Sequence, residues 1–398
     1  MKYMCDRNVG GPWHEEASMS TSSAQDDPGI FWGGKLIPYS EAVKHFFVLG
    51  TVGSGKTAVL RLLMQSIMPR IGTREHKRAL IFDPTGGMLS LLAGMDLNAE
   101  VITLDPLDAR GAAWDIAKDT SDYINAQKIA TILCPSPKDG KDFFERSARY
   151  ILSLVILGMH QVSRDNWSFT ELMRVTQDQE AIKRLLGETE EGRQRGTWLF
   201  GAGSQKERTD DILHTLHTEL SDYWQIAMLW DQATRKVSIH DWLENDYILV
   251  LPHKEGYFSM PVDNIYKAFI QFTMDEILSQ KGSASDWHNW FFLDDCYLLD
   301  SGDLTSIISQ SRRAGVCCAI GLSDLEKGRM TFGENGINTI VEMCSNVAML
   351  SAHAENGVVG HYRTANLPEF LATFDADFLK RNLLPPDPTV PAFIPRPM

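Results

Sequence analysis

The chain has 398 residues with the apolar and charged fractions of a folded globular protein, and it is long enough for more than one domain. Its formal net charge of −14 excludes a surface that attracts nucleic acid everywhere, so any nucleic-acid contact must be local. The six cysteines show neither metal-ligand spacing nor a disulfide framework, and no apolar run approaches the ~20 residues of a membrane-spanning helix. We therefore expect a cytoplasmic protein with reduced thiols.

The first part of the chain alternates between strand and helix patterns. Residues 1–30 are polar and are predicted to be a flexible N-terminal tail. Within residues 31–142, apolar runs at 46–49, 78–82 and 100–104 are separated by helical patterns. This alternation predicts an α/β fold with a mostly parallel sheet, and residues 31–142 are predicted to form the first part of a nucleotide-binding domain.

The middle of the chain changes to helical patterns, and residues 143–233 are predicted to be an all-helical insertion. The charged, glycine-rich stretch 188–208 inside it is predicted to be a mobile loop. Strand patterns resume at 247–251, so residues 234–384 are predicted to form the second part of the nucleotide-binding domain. The proline-rich residues 385–398 are predicted to be an extended tail.

The most specific motif is the G-x-x-x-x-G-K-[ST] loop at residues 50–57, which stands between an apolar strand and a helical pattern that begins near Ala58. Its glycines allow successive backbone N–H groups to point inward, and the helix dipole adds positive potential, which together bind a polyphosphate. Lys56 is predicted to reach the β- and γ-phosphates, and the Thr57 hydroxyl is predicted to bind Mg²⁺. The predicted ligands of ATP and Mg²⁺ in this segment are Gly50, Thr51, Val52, Gly53, Ser54, Gly55, Lys56, Thr57 and Ala58.

A phosphate-binding loop also needs a carboxylate at the end of a neighbouring strand. Asp294 and Asp295 follow four apolar residues, and we predict that Asp294 binds the metal while Asp295 polarises the attacking water. The alternative for this pair is an exposed junction between strand and loop. Asp83 also ends an apolar run, but Pro84 and two glycines follow it, which favours a turn. We therefore prefer Asp294 over Asp83 as the metal ligand.

Several segments, taken in order, resemble the nucleotide-binding core of the coupling proteins of type IV secretion, the TraD/TraG group, which belong with the FtsK/HerA-like DNA pumps. The resemblance covers roughly residues 31–365 and implies a P-loop NTPase with a RecA-like, mostly parallel central sheet and an inserted all-helical domain. The segments that carry it are 34–36, 45–57, Ile81-Phe82-Asp83-Pro84, Leu104-Asp105-Pro106, Asp142-Phe143-Phe144, Phe291-Phe292-Leu293-Asp294-Asp295 and Ser311-Arg312-Arg313-Ala314-Gly315-Val316.

The resemblance implies an ATP-hydrolysing ring, a homohexamer, that moves DNA through a central pore in conjugation. Arg312 matches the arginine that such rings present to the γ-phosphate of the neighbouring subunit, with Arg313 as the alternative. A guanidinium there can stabilise the charge that develops on the transferred phosphoryl group. Short basic clusters at 70–78 and 327–329 are candidate DNA contacts, although such clusters are more often ordinary solvated surface.

Three features depart from the family pattern. Asp295 stands where the family has glutamate, and Ser323 stands where its sensor strand ends in glutamine, so we expect weak or differently coupled hydrolysis. The family's membrane helices are also not seen, so we expect a soluble relative, a truncated protein, or one recruited to the inner membrane by another subunit. The alternative function is a nucleotide-dependent switch or assembly ATPase that recruits protein partners in a secretion or defence complex. A nucleotide kinase is a more distant alternative.

Overall fold

The computed structural model describes residues 29–32, 35–38, 44–51, 53–73, 78–135, 143–196, 204–253, 260–279, 289–297, 299, 301–311, 314–350, 389, 391 and 394–396. The predicted N-terminal tail up to residue 28 lies outside the described residues. So do Val52, Arg312, Arg313 and most of the predicted proline-rich tail.

The strands of the described residues are β1 (Ile30–Trp32), β2 (Lys35–Ile37), β3 (Phe46–Leu49), β4 (Arg78–Asp83), β5 (Val101–Thr103), β6 (Ala113–Trp114), β7 (Lys236–Val237), β8 (Ile248–Pro252), β9 (Asn289–Asp294), β10 (Val316–Leu322) and β11 (Asn346–Met349). Seven of them build a parallel sheet in the order β11-β3-β10-β9-β4-β8-β5. Its parallel pairing confirms the predicted α/β fold with a parallel central sheet. Two short two-stranded sheets, β1-β2 and β6-β7, lie outside it.

Helices cover both faces of this sheet. They are α1 (Lys56–Ile67), α2 (Met88–Ala93), α3 (Ile116–Asp119), α4 (Tyr123–Leu133), α5 (Phe143–Ser163), α6 (Phe169–Gln177), α7 (Gln179–Glu188), α8 (Glu190–Gly196), α9 (Ser204–Ser221), α10 (Trp224–Asp231), α11 (Ile239–Glu244), α12 (Val262–Ser279), α13 (Ser301–Ser311) and α14 (Leu325–Met343). A 3₁₀ turn, Met68–Arg70, follows α1. None of the helices in the described ranges is long and apolar enough to cross a bilayer.

Successive residues of the central strands point to opposite faces, and both faces are buried. Phe46 and Phe292 pack on one side against α1 and α2, whereas Phe47 and Phe291 pack on the other side in the core that includes α12 and α13. Because helices cover both faces, these strands are apolar at nearly every position, which is why they read as continuous apolar runs in the sequence.

The prediction of a mobile loop at 188–208 is wrong where the structure describes these residues. Glu188 ends α7, residues 190–196 form α8, and residues 204–208 lie in α9. The Thr189 hydroxyl accepts a hydrogen bond from the backbone N–H of Gly192 at 3.0 Å, which caps the start of α8. Glu190 and Glu191 add negative charge at that end, where the helix dipole favours it. The charge that suggested a loop therefore stabilises a helix.

Candidate nucleotide-binding site

The predicted phosphate-binding loop connects β3 to α1. Gly53 (φ 81°) and Gly55 (φ 98°) adopt left-handed backbone conformations that glycine tolerates at low cost. The backbone N–H of Gly50 donates to the carbonyl oxygen of Leu322 at 3.0 Å, which ties the start of the loop to β10. Gly55 precedes α1 and supplies no side-chain cap, so no side chain occupies the first amide groups of the helix. These amides and the dipole of α1 form a site suited to an anion.

The side chains of the loop fall into two groups. Thr51 and Thr57 are exposed, so the Thr57 hydroxyl at the second position of α1 is accessible to a metal ion. Ser54 and Ala58 are half-buried, and Lys56 is only 7% exposed. The Ser54 hydroxyl is shielded from solvent and has no hydrogen-bond partner. The described residues of the loop therefore include two exposed threonines, one buried hydroxyl without a hydrogen-bond partner and a buried ammonium group.

Lys56 contacts both members of the acidic pair. Its ammonium group forms a hydrogen-bonded ion pair with Oδ1 of Asp294, and it lies 2.8 Å from Oδ2 of Asp295. Asp294 is the last residue of β9 and is 7% exposed. Asp295 turns the chain away with φ 44°. The structure thus brings Lys56 to an acidic pair that begins 238 positions later in the sequence, as the predicted nucleotide site requires.

Burial shifts the pKa values of Lys56 and Asp294 in opposite directions. It lowers the pKa of Lys56, but attraction to Asp294 and Asp295 outweighs this effect and leaves the pKa raised. Burial raises the pKa of Asp294, and the Lys56 ammonium only partly offsets it. Lys56 is therefore charged at neutral pH, and its ammonium group favours the ionised form of Asp294.

Strand register explains why there is room for the Asp294 carboxylate. In the parallel pairing of β9 with β10, Asp294 lies opposite Gly321. A Cβ atom placed on Gly321 would lie 2.3 Å from Oδ1 of Asp294. Gly321 therefore provides the space that the carboxylate occupies, a role that the sequence analysis missed because Gly321 sits in an ordinary apolar strand.

Asp295 is held at both of its carboxylate oxygens. Oδ1 accepts a hydrogen bond from the backbone N–H of Ser323 at 2.7 Å, and Oδ2 contacts Lys56. Its own N–H donates to the carbonyl oxygen of Gly321 at 2.8 Å. Ser323 thus interacts with the acidic pair through its backbone, at the position where a glutamine side chain was expected.

A second pair of hydrogen bonds is made by Tyr297, two residues after Asp295. The Tyr297 hydroxyl donates to the carbonyl oxygen of Asp324 and accepts from the Asp324 N–H, both at 3.0 Å. The Lys327 ammonium lies 4.2 Å from the centre of the Tyr297 ring. Tyr297 therefore fastens the segment after β9 to the start of α14, and sequence reasoning gave no signal for it.

Asp83, the alternative metal ligand, organises a turn. Its Oδ1 accepts from the N–H of Thr85 (3.1 Å), the hydroxyl of Thr85 (2.9 Å) and the N–H of Gly86 (3.0 Å), while Oδ2 accepts from the N–H of Met88 (2.8 Å). These four bonds support the turn interpretation, because both oxygens are already used by the backbone that starts α2.

The described cations of the candidate basic clusters make contacts within the chain, whereas residues 74–77 of the first cluster lie outside the described residues. Arg78 is buried and its guanidinium lies 5.5 Å from the centre of the Trp242 ring. Arg70 donates to the carbonyl oxygen of Gly29. In the second cluster, Lys327 covers Tyr297, and Arg329 pairs with Glu326. These contacts favour structural roles over a DNA-binding surface.

The residues present suit Mg²⁺. Thr57 and Asp294 supply hydroxyl and carboxylate oxygens, which are the ligands that Mg²⁺ prefers. In the described part of the chain, no group of three or more His, Cys, Asp or Glu side chains forms a ready metal cage. Mg²⁺ usually keeps several waters and binds one or two protein ligands together with phosphate oxygens, so one hydroxyl and one carboxylate are a sufficient protein contribution.

Comparisons with known proteins identify the family that the chain resembles. Residues 32–357 match the model of the type IV secretion-system coupling protein DNA-binding domain. The coupling protein TraD of Escherichia coli strain K12 is 22% identical over 330 residues, which is 80% of this chain but 43% of TraD. The chain thus spans less than half the length of that relative.

Solved structures show the same fold. The plasmid coupling protein TrwB in complex with ADP and Mg²⁺ aligns with TM-score 0.61 and 20% identity, covering 80% of this chain and 73% of TrwB. TrwB in complex with the ATP analogue ADPNP aligns with TM-score 0.62 over the same shares, also at 20% identity. VirB4 of Thermoanaerobacter pseudethanolicus aligns with TM-score 0.52 and 10% identity, covering 88% of this chain and 92% of VirB4.

Proposed function

Because residues 32–357 match that family model, the chain belongs to the type IV secretion-system coupling proteins, and we propose that it is a Mg²⁺-dependent ATPase that moves DNA through a ring of identical subunits. The observation that carries the proposal is the contact of Lys56, the first residue of α1, with Asp294 and Asp295 at the end of β9. This arrangement joins a phosphate-binding loop to the carboxylates that a P-loop NTPase uses.

Each residue then has a defined role. Residues 50–58 bind the phosphates through their backbone N–H groups, and Lys56 binds the β- and γ-phosphates. Thr57 and Asp294 hold Mg²⁺, which neutralises charge on the phosphate oxygens when it is bound. Asp295 orients the attacking water, and its Oδ2 lies 2.8 Å from the Lys56 ammonium group that binds the phosphates.

ATP turnover measured with and without single- and double-stranded DNA tests the proposal. We expect DNA to stimulate turnover and Lys56→Ala to abolish it. Lys128→Ala is the matched control, because Lys128 is a partly exposed lysine that pairs with Asp275 away from the site, and it should keep wild-type turnover. Turnover that is indifferent to DNA would reject the motor, and activity that survives Lys56→Ala would reject the site.

The ring supplies the remaining part of the site. We propose that a homohexamer presents Arg312 of one subunit to the γ-phosphate bound by its neighbour, as the family resemblance implies. Native mass measurement with ATP should reveal the ring, and Arg312→Ala should lower turnover more than Arg313→Ala does. A strict monomer in every nucleotide state would leave Arg312 without this role.

Two exposed aromatic side chains supply a better DNA contact than the basic clusters. Phe143 and Phe144 begin α5 with 54% and 40% of their surface exposed, their ring centres are 5.3 Å apart, and exposed Arg146 follows. Aromatic faces beside a cation are what single-stranded bases stack on. Phe143→Ala with Phe144→Ala should reduce DNA stimulation and spare basal turnover. Val162→Ala, at a residue that is 52% exposed near the other end of α5, should change neither.

The second candidate function is a nucleotide-dependent switch or assembly ATPase that recruits protein partners. The contacts of Arg78 and Arg329 within the chain and the net charge of −14 favour it. It predicts ATP binding that alters protein association while DNA leaves turnover unchanged. DNA-stimulated turnover that is lost with the Phe143 and Phe144 substitutions would contradict it.

A further inference from the structure

We propose that the connection between β5 and β6 and the last turn of α10 form a groove that recognises an extended, arginine-bearing peptide segment, and that residues 394–396 of the same chain occupy it. The groove consists of residues 105–111 and the carbonyl group of Leu229. The inference goes beyond the proposed function, because it involves neither nucleotide nor DNA. It predicts that the segment and the groove bind each other even when they are not part of one chain.

The segment pairs with the groove through its backbone, as an added antiparallel strand does. Asp108 and Pro395 form an antiparallel bridge. Two backbone hydrogen bonds flank it, from Ala109 N–H to the Ile394 carbonyl oxygen (2.7 Å) and from Arg396 N–H to the Leu107 carbonyl oxygen (2.6 Å). Asp108 and Pro395 themselves are thus a pair without mutual hydrogen bonds, where the missing N–H of proline costs no bond. The backbone pairing therefore suits a proline at exactly this place in the segment.

The Arg396 side chain supplies the specific part of the contact. It is 6% exposed, and its guanidinium donates to the carbonyl oxygens of Asp108 (2.9 Å), Gly111 (2.6 Å) and Leu229 (2.5 Å). Leu229 lies in the last turn of α10, where the helix dipole favours a cation. A planar guanidinium can serve three fixed acceptors at once, which a lysine ammonium does less well. Ile394 and Pro395 are exposed, so the groove selects the arginine.

The shape and charge of the groove come from its own residues. Oδ1 of Asp105 accepts from the backbone N–H of Asp108 at 3.2 Å, and Arg110 donates to both carboxylate oxygens of Asp108. A Cβ atom on Gly111 would lie 2.1 Å from the carbonyl oxygen of Asp105, so the backbone closes tightly there. Asp105 and Asp108 are fully buried, and their negative charges act on Arg396. The groove is therefore prepared for a cationic side chain.

Peptide binding to the full-length protein tests the inference. The probe is a fluorescent peptide with the sequence of residues 389–398, followed by anisotropy. Arg396→Glu places a carboxylate against three carbonyl oxygens, so the chain's own segment should leave the groove. The peptide should then bind about tenfold or more tightly than it binds wild type, in which the attached segment competes. A peptide with alanine in place of the arginine should lose about tenfold or more of this affinity.

Arg184→Glu, at an exposed arginine on α7, is the matched control and should bind the peptide no better than wild type does. Equal binding of the two peptides by Arg396→Glu would overturn the inference, as would equal binding of the native peptide by Arg396→Glu and wild type. Loss of an oligomer on Arg396→Glu, measured by native mass spectrometry without nucleotide, would place the segment in a neighbouring copy and overturn docking within one chain.

Amide hydrogen exchange gives a second test that needs no peptide, for the case that Arg396→Glu is poorly folded. In Arg396→Gln, the Ala109 N–H should exchange about tenfold or more faster than in wild type, because its acceptor is the carbonyl oxygen of Ile394. The Leu104 N–H donates to Val250 in the sheet and should keep its rate. An unchanged rate at Ala109 would overturn the inference.

Discussion

Gly321→Ala should disturb the site at one defined atom. The added methyl carbon would lie 2.3 Å from Oδ1 of Asp294 and 3.1 Å from Cδ1 of Leu60. Because ordinary contacts begin near 3.4 Å, the carboxylate must move by roughly an ångström, which takes it out of its present contact with Lys56. Overpacking of this kind costs about 1–3 kcal/mol, and the misplaced carboxylate should weaken Mg²⁺·ATP binding at least tenfold, which is about 1.4 kcal/mol.

Urea unfolding and ATP titration in Mg²⁺ measure the two effects. Gly328→Ala in α14 is the matched control, because its added carbon would meet Ile337 and Leu322 at 3.5 Å, an ordinary contact. A glycine replaced by alanine within a helix should leave ATP affinity unchanged and stabilise the fold by up to ~1 kcal/mol. Wild-type ATP affinity in Gly321→Ala would refute the account of how β10 positions Asp294.

Three further variants probe other features of the chain. Burial raises the pKa of Asp119 to about 6, against 3.8 in the unfolded chain. Between these two pH values the folded protein binds a proton at Asp119 that the unfolded chain does not bind. The stability that this proton contributes is therefore lost as pH rises from about 4 to 6. The difference corresponds to about 3 kcal/mol, and Asp119→Asn should remove that slope when urea unfolding is followed across this range. Arg396 is buried and donates to the carbonyl oxygens of Asp108 (2.9 Å), Gly111 (2.6 Å) and Leu229 (2.5 Å). Arg396→Ala should lower the free energy of unfolding by roughly 2–4 kcal/mol, because it leaves buried acceptors unpaired, and a loss below measurement error would contradict this. Asp295→Glu should raise ATP turnover if the short carboxylate limits hydrolysis, and an unchanged steady-state rate would reject that explanation.

Local signals explain what could be predicted from the sequence. The phosphate-binding loop combines an apolar strand, glycines with left-handed φ and a helical pattern within about 20 residues, so one short window contains all of its determinants. The turn after Asp83 is signalled in the same way by Pro84 and the glycines that follow it. The 188–208 prediction failed because charge and glycine alone do not distinguish a loop from a capped helix, and the cap at Thr189 is a single hydrogen bond.

Features that depend on strand register could not be predicted. The importance of Gly321 comes from its position opposite Asp294, and nothing in the residues around Gly321 specifies that pairing. The contact of Ser323 with Asp295 is made by a backbone N–H, which any residue except proline could supply. A serine at residue 323 in place of the family's glutamine suggests weakened hydrolysis, whereas the structure shows that the backbone N–H of Ser323 binds Asp295.

One strand positions both halves of the site, because β10 lies between β3 and β9 in the sheet. The last two residues of β10 and the residue that follows make the contacts: Gly321 leaves room for Asp294, the Leu322 carbonyl accepts from Gly50, and the Ser323 N–H donates to Asp295. A displacement of this end must therefore move the phosphate-binding loop and the acidic pair together. The next residue, Asp324, caps α14 and bonds to the Tyr297 hydroxyl. The acidic pair is consequently connected to the start of α14 through two sets of hydrogen bonds, one between Asp295 and Ser323 and one between Tyr297 and Asp324.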